Sequence, residues 1–230
     1  MVKKKKQPDF PLPNKAFPSR KEKILQASLE VFAQKGKAGA RVYEIAQRAE
    51  VNKALVHYYF SSKDQLYAQV FEHYFGQILG EVKQVMLKEK EMELSKRLEN
   101  IIELYFDFIV KNPQFARLIS WELLDGAPIA RKVFQKLFQK EKFSLPENFQ
   151  NLIQQGIKEK KIYPVDSSQV VLSVMGMILF YFFARPLFLP VWGIKPGKEE
   201  EFLKARKRHI KNLLRRGLFL EEAQKKERKK

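Results

Sequence analysis

Apolar residues recur along nearly the whole chain at helical spacing. Ile24, Leu25, Ser28, Leu29 and Phe32 share one face of a first helix. Ser19 stands before it as N-cap, Glu22 completes a capping box three residues on, and Gly36 is its natural stop. Short helices are predicted over 42–49 and 53–59, the second capped by Asn52. A long amphipathic segment then runs over 63–91, with Leu66, Val70, Phe71, Tyr74, Phe75, Ile78 and Val82 inward and no proline.

Further helices follow, separated by proline and glycine. They span about 93–111, 113–125, 128–143, 146–160, 167–184 and 199–226, with a loop over 186–197. No alternating strand pattern and no internal repeat are present. The predicted class is all-α with about nine helices. Three N-terminal helices form a helix-turn-helix module, and the rest forms a C-terminal helical bundle.

Residues 170–192 need separate attention, because they are the one candidate membrane span. Arg185, Pro186 and Pro190 interrupt them, leaving a charge-free and proline-free stretch of borderline length at 167–184. The expectation is a helix buried in the protein core or in a subunit interface rather than in a bilayer.

Composition narrows the function classes. The chain has 230 residues, 44 basic and 26 acidic side chains, a net charge of +18 and no cysteine. That excludes disulfides, a zinc ribbon and a thiol nucleophile. The positive charge favours a polyanionic partner, nucleic acid or an anionic membrane surface. It lies mainly at the two ends and on residues 20–63, where 9 basic residues face 4 acidic ones. Residues 1–18, with the Lys3–Lys6 run, read as a disordered basic arm, either solubilising or resting on DNA phosphates. Residues 221–230 read as a solvated basic tail. No export signal follows the basic start, so a cytoplasmic location is expected. The three histidines are far apart, and no Gly-rich phosphate loop, G-x-S-x-G or H-E-x-x-H occurs, so an enzyme, a metal site or a cofactor is not expected.

The region 20–70 carries an ordered set of motifs. They include Ile24-Leu25-Gln26-Ala27, Phe32-Ala33-x-x-Gly36 and Val42-x-Glu44-Ile45-Ala46-x-x-Ala49-x-Val51-Asn52-Lys53. The set ends in Val56-His57-Tyr58-Tyr59-Phe60-Ser61-Ser62-Lys63-Asp64-Gln65-Leu66. In this the sequence resembles the TetR family of transcriptional regulators. It departs from the family at Lys37, where an aromatic is usual, and at Ala40, where a capping Thr is usual. It departs again at Glu50 and Ala54, where glycine is usual. A lost helix cap costs about 0.5–2 kcal/mol.

The resemblance implies that the third helix enters the major groove. Lys53, Ala54 and Leu55 would face base edges, and Leu55 could offer only apolar contact, for instance to a thymine methyl. His57 and Tyr58 would reach phosphates, Lys63 would bind phosphate at the start of the fourth helix, and Arg41 would meet the flanking backbone. Asn52 belongs to the same surface, and Phe60 is expected in the core. Val51 is expected as a buried plug in the turn.

The resemblance further implies one DNA-binding domain at 19–66 and a ligand-binding and dimerisation domain at 67–220. The expected function is a ligand-responsive regulator, most simply a repressor. It would bind double-stranded operator DNA as a homodimer and be released by a small apolar effector. Tyr105, Phe108, Trp121 and Phe180 are the expected pocket residues. The runs 112–119 and 183–186 look like a CecR-type C-terminal domain, which implies control of a membrane-transport operon. The competing readings are a membrane-attached basic protein anchored by 170–192 and a non-specific nucleic-acid-binding protein.

Overall fold

The computed structural model describes residues 19–88, 92–140, 145–194 and 198–220. The expected arm at 1–18 and tail at 221–230 lie outside them. Ten helices are described, one for each of the spans predicted, and among the described residues no strand occurs. They are α1 (Arg20–Gly39), α2 (Val42–Arg48), α3 (Lys53–Tyr59), α4 (Lys63–Lys88) and α5 (Leu94–Lys111). α6 (Pro113–Leu124), α7 (Pro128–Lys140), α8 (Leu145–Lys158), α9 (Ser167–Val191) and α10 (Glu199–Leu218) complete the chain.

The predicted starts of α1 and α3 are as the sequence implies. The Glu22 amide donates to Ser19 Oγ at 3.2 Å, and Glu22 Oε2 accepts from the Ser19 amide at 2.7 Å. The Leu55 amide donates to Asn52 Oδ1 at 2.7 Å. Gly36 does break α1, with φ +66° and ψ 176°, but helix resumes beyond it to Gly39. The three-helix module closes on Ile24, Phe32, Ile45, Val56 and Phe60, all fully buried. Phe60 is therefore core, as expected. Val51 is only half-buried against that core, not a buried plug.

The fourth helix leaves the module and enters the body without interruption. Its residues Tyr67, Phe71, Tyr74 and Phe75 form a chain of ring contacts that continues into Phe115 of α6 and Phe134 of α7. One continuous core thus joins module and body, and burial of so much aromatic surface dominates its stability. On the far side, Lys207, Lys211 and Arg215 of α10 pair with Glu99, Glu103 and Asp107 of α5.

The apolar helix departs most from expectation. α9 continues through Pro186 and Pro190 to Val191, where a loop was predicted. Both prolines sit on the exposed side, so their rings do not intrude on the core. Nor is α9 buried in the core. Leu172, Phe180, Leu187, Val191 and Trp192 are all exposed on the single chain. By length and composition it is apolar enough to cross a membrane.

Candidate nucleic-acid interface

α2 and α3 share the module's core, and α2 is further tied to α1 by ion pairs. Lys35 pairs with Glu44 at 2.7 Å, and Arg48 with Glu30 at 3.4 Å. Arg41 is the N-cap position of α2 and has no side-chain cap, in keeping with Ala40 one residue before it.

The turn between α2 and α3 runs through Glu50 in left-handed backbone, φ +56°. A non-glycine residue there costs about 1–2 kcal/mol, against the extra chain entropy of glycine, about 0.5–1 kcal/mol. Glu50→Gly should therefore raise the melting temperature by about 2–4 °C, which thermal unfolding followed by circular dichroism checks. No gain would mean that the Glu50 side chain offsets its own backbone strain.

On α3, Lys53, Ala54, His57 and Tyr58 are exposed together, and Leu55 is half-buried. Tyr58 is 80% exposed, an unusual state for a large aromatic on a rigid helix. Its ring meets Tyr59 edge-on at 5.2 Å. Arg41 is also exposed. Asn52 spends its side-chain oxygen on the cap.

On the single chain Lys63 is engaged at the corner after α1. Its Nζ donates to the Ala38 and Ala40 carbonyls at 3.3 and 3.2 Å. It ties the start of α4 to the corner after α1, where the last carbonyls of a helix lack partners. Sequence reasoning also passed over Tyr43, which is 62% exposed on α2. Gln47 Nε2 donates to its hydroxyl at 2.9 Å, leaving the phenol proton free for an outside acceptor. A large aromatic on the polar side of α2 was the available signal.

The four expected pocket residues are not brought together. Phe108 is buried, edge-on to Phe115 at 6.1 Å. Tyr105 is half-buried, and burial pushes its phenol well above the usual range. Phe180 is 58% exposed on α9, because that helix is apolar all round and periodicity cannot say which side faces the bundle. Trp121 faces the DNA-binding module instead. It lines a cleft of about 320 Å3 with Gly36, Lys37, Leu124 and Asp125. Among the described residues, no group of His, Asp or Glu side chains could hold a metal ion.

A buried three-helix unit with one exposed, capped helix and a positively charged surface defines a helix-turn-helix DNA-binding protein with an attached helical body. Comparison with known proteins makes this specific. The family model described as "Bacterial regulatory proteins, tetR family" matches residues 24–70. A second, "Tetracyclin repressor-like, C-terminal domain", matches 95–214 and carries no CecR designation. The chain belongs to the TetR family of transcriptional regulators, whose members are regulators and not enzymes.

It is 30% identical over 168 residues to the transcriptional regulator RutR of Escherichia coli O157:H7, covering 73% of this chain and 76% of that one. It is 29% identical over 112 residues to the transcriptional repressor NicS of Pseudomonas putida, 49% of this chain and 52% of that one. The fold is shared with the regulator FadR of Bacillus subtilis, solved in complex with stearoyl-CoA. That match has a TM-score of 0.63 and 18% identity, over 85% of this chain and 97% of FadR.

Proposed function

We propose that this regulator is a ligand-responsive repressor that binds paired operator half-sites as a dimer and is released by a largely apolar effector. The observation that carries the DNA half is the exposed set Lys53, Ala54, His57 and Tyr58 on a helix whose other side is locked by Val56 and the adjacent Phe60. Lys53 and Ala54 would face base edges. Arg41, Tyr43, His57 and Tyr58 would take phosphates, and Lys63 would contribute its charge to the field while bracing the corner. The repressor sense follows NicS, a repressor by name.

The effector half rests on the aromatic body and on the apolar acyl chain of the ligand bound by FadR. α9 and α10 would supply the dimer contact, because the exposed apolar side of α9 calls for a partner. The protein would act where the chromosome is, in the cytoplasm.

The test is selection of binding sites from random duplexes, followed by competition at fixed salt. A selected inverted repeat should outcompete random DNA by about a thousandfold or more. Equal competition would reduce the protein to a non-specific binder. Adding stearoyl-CoA or free stearate to the selected complex tests the effector class directly.

A further inference from the structure

We infer that Trp121 and Glu122, adjacent at the end of α6, are positioning residues that set the angle of the DNA-binding module on the body, and with it the spacing of half-sites the dimer accepts. This rests on the regulator reading above.

The two side chains leave α6 about 100° apart and so grip different elements. Trp121 reaches α1. Its indole Nε1 donates to the Ala33 carbonyl at 3.1 Å, across 88 positions of sequence. That carbonyl lies in the last turn before the break at Gly36, where helical donors run out. The glycine supplies the φ of +66°, and the indole lies 3.5 Å from the point where a β-carbon would stand. The break therefore creates the acceptor and seats the ring that answers it.

Glu122 reaches α4 and α7. It is 3% exposed, yet it carries a carboxylate. One oxygen accepts the amides of Ile129 at 2.5 Å and Ala130 at 2.8 Å. These are the first free amides of α7, since Pro128 has none. The same carboxylate faces the phenol of Tyr67, which burial and this charge together push upward. Tyr67 stands on α4 and packs edge-on against Phe32 of α1 at 4.9 Å.

Two successive residues thus bind α6 to α1, α4 and α7 at one level, where module meets body. The other end of α6 is anchored in the body by Phe115, which contacts Phe71, Tyr74, Phe75 and Phe108. Any shift or rotation of α6 must stretch the indole bond or the carboxylate bonds, whose geometry holds at one orientation only. The open cleft beside Trp121 gives the indole space to leave.

The test uses the full-length protein and the duplex selected on it, with the spacer between half-sites lengthened or shortened by one to three base pairs. Each base pair turns one half-site by about 35° and moves it about 3.4 Å. Wild-type affinity should fall by about tenfold or more at the first step, given a rigid module. Trp121→Phe keeps a ring over Gly36 and removes the donor. It should flatten that preference to under about threefold, with single half-site binding unchanged within about twofold.

Benzothienylalanine at 121, which replaces only the N–H by sulfur, should do the same and serves if the phenylalanine variant fails to fold. Glu122→Ala should flatten the preference and Glu122→Gln, which keeps the acceptor, should restore it. A wild-type spacing profile retained in the benzothienylalanine protein overturns this inference alone. Wild-type protein that prefers no spacing and no sequence overturns the regulator reading.

Discussion

A chain carrying Leu172→Glu with Leu187→Glu should fold normally, run as a monomer, and lose about a hundredfold or more in affinity for paired half-sites. Both side chains are about two-thirds exposed on the single chain, at 65% and 68%, so neither change disturbs the protomer core. At 100° per residue, Phe183 falls 20° and Leu187 60° from Leu172, so the three line one side of α9.

A strip of large apolar groups along one side of an exposed helix is the kind of patch that marks a contact with a partner. α10, beside it, carries Glu201 in its first turn and Arg216 in its last, while Glu199, Glu200 and Arg215 are paired within the protomer with Arg185, Lys204 and Glu99. Two copies laid antiparallel about a two-fold axis would place acidic start against basic end, a self-complementary arrangement. Association should then weaken as salt rises. Light scattering at micromolar concentration, before and after the double substitution, decides the matter. A wild-type monomer that binds one half-site as well as two would sink the dimer reading. Wild-type protein pelleting with membranes after detergent-free lysis would assign α9 to lipid instead.

The DNA-binding module was legible because its determinants are local. Ser19 with Glu22, and Asn52 with Leu55, are contacts between residues three apart, and they occur as the spacing implies. Glu50 was legible too, as a residue where glycine is usual, and its left-handed φ gives the physical reason. What sequence could not show are pairings across the chain. Trp121 looks like a core aromatic until its indole is seen on the Ala33 carbonyl, 88 positions away. Glu122 reads as one more scattered carboxylate, although an acid inside an apolar run six residues before a helix-starting proline was a usable hint. Lys63 shows in sequence only its charge beside the recognition helix, since the Ala38 and Ala40 carbonyls it binds stand 25 and 23 positions away. Phe180 and the extension of α9 through two prolines escape periodicity, since a helix apolar all round has no preferred side.

An apolar compound that raises the melting temperature of this protein should also lower its affinity for the selected operator, by roughly 5–150-fold. Residues 24–197 carry little net charge beyond the DNA-binding module, and the body is packed with rings, among them Phe75 against Phe134 at 4.0 Å. Rings packed in this way offer no compensation for a phosphate or metal ion brought among them. Tyr105, whose phenol burial keeps protonated, can give one hydrogen bond to a polar end group. A ligand can release DNA only by as much as it prefers the state that cannot bind DNA, and couplings of about 1–3 kcal/mol are typical. The route is short. α6 runs from Phe115 in the ring cluster to Trp121 on α1, so a molecule that displaces the cluster moves the indole. Trp192→Phe leaves Trp121 as the single tryptophan, and its emission should change as the indole, already 41% exposed, gives up the Ala33 carbonyl. The shift and the loss of operator affinity should follow one binding curve. Release of DNA by a metal ion or a nucleotide, with a broad apolar panel leaving both signals unmoved, would show that the body reads a different class of molecule.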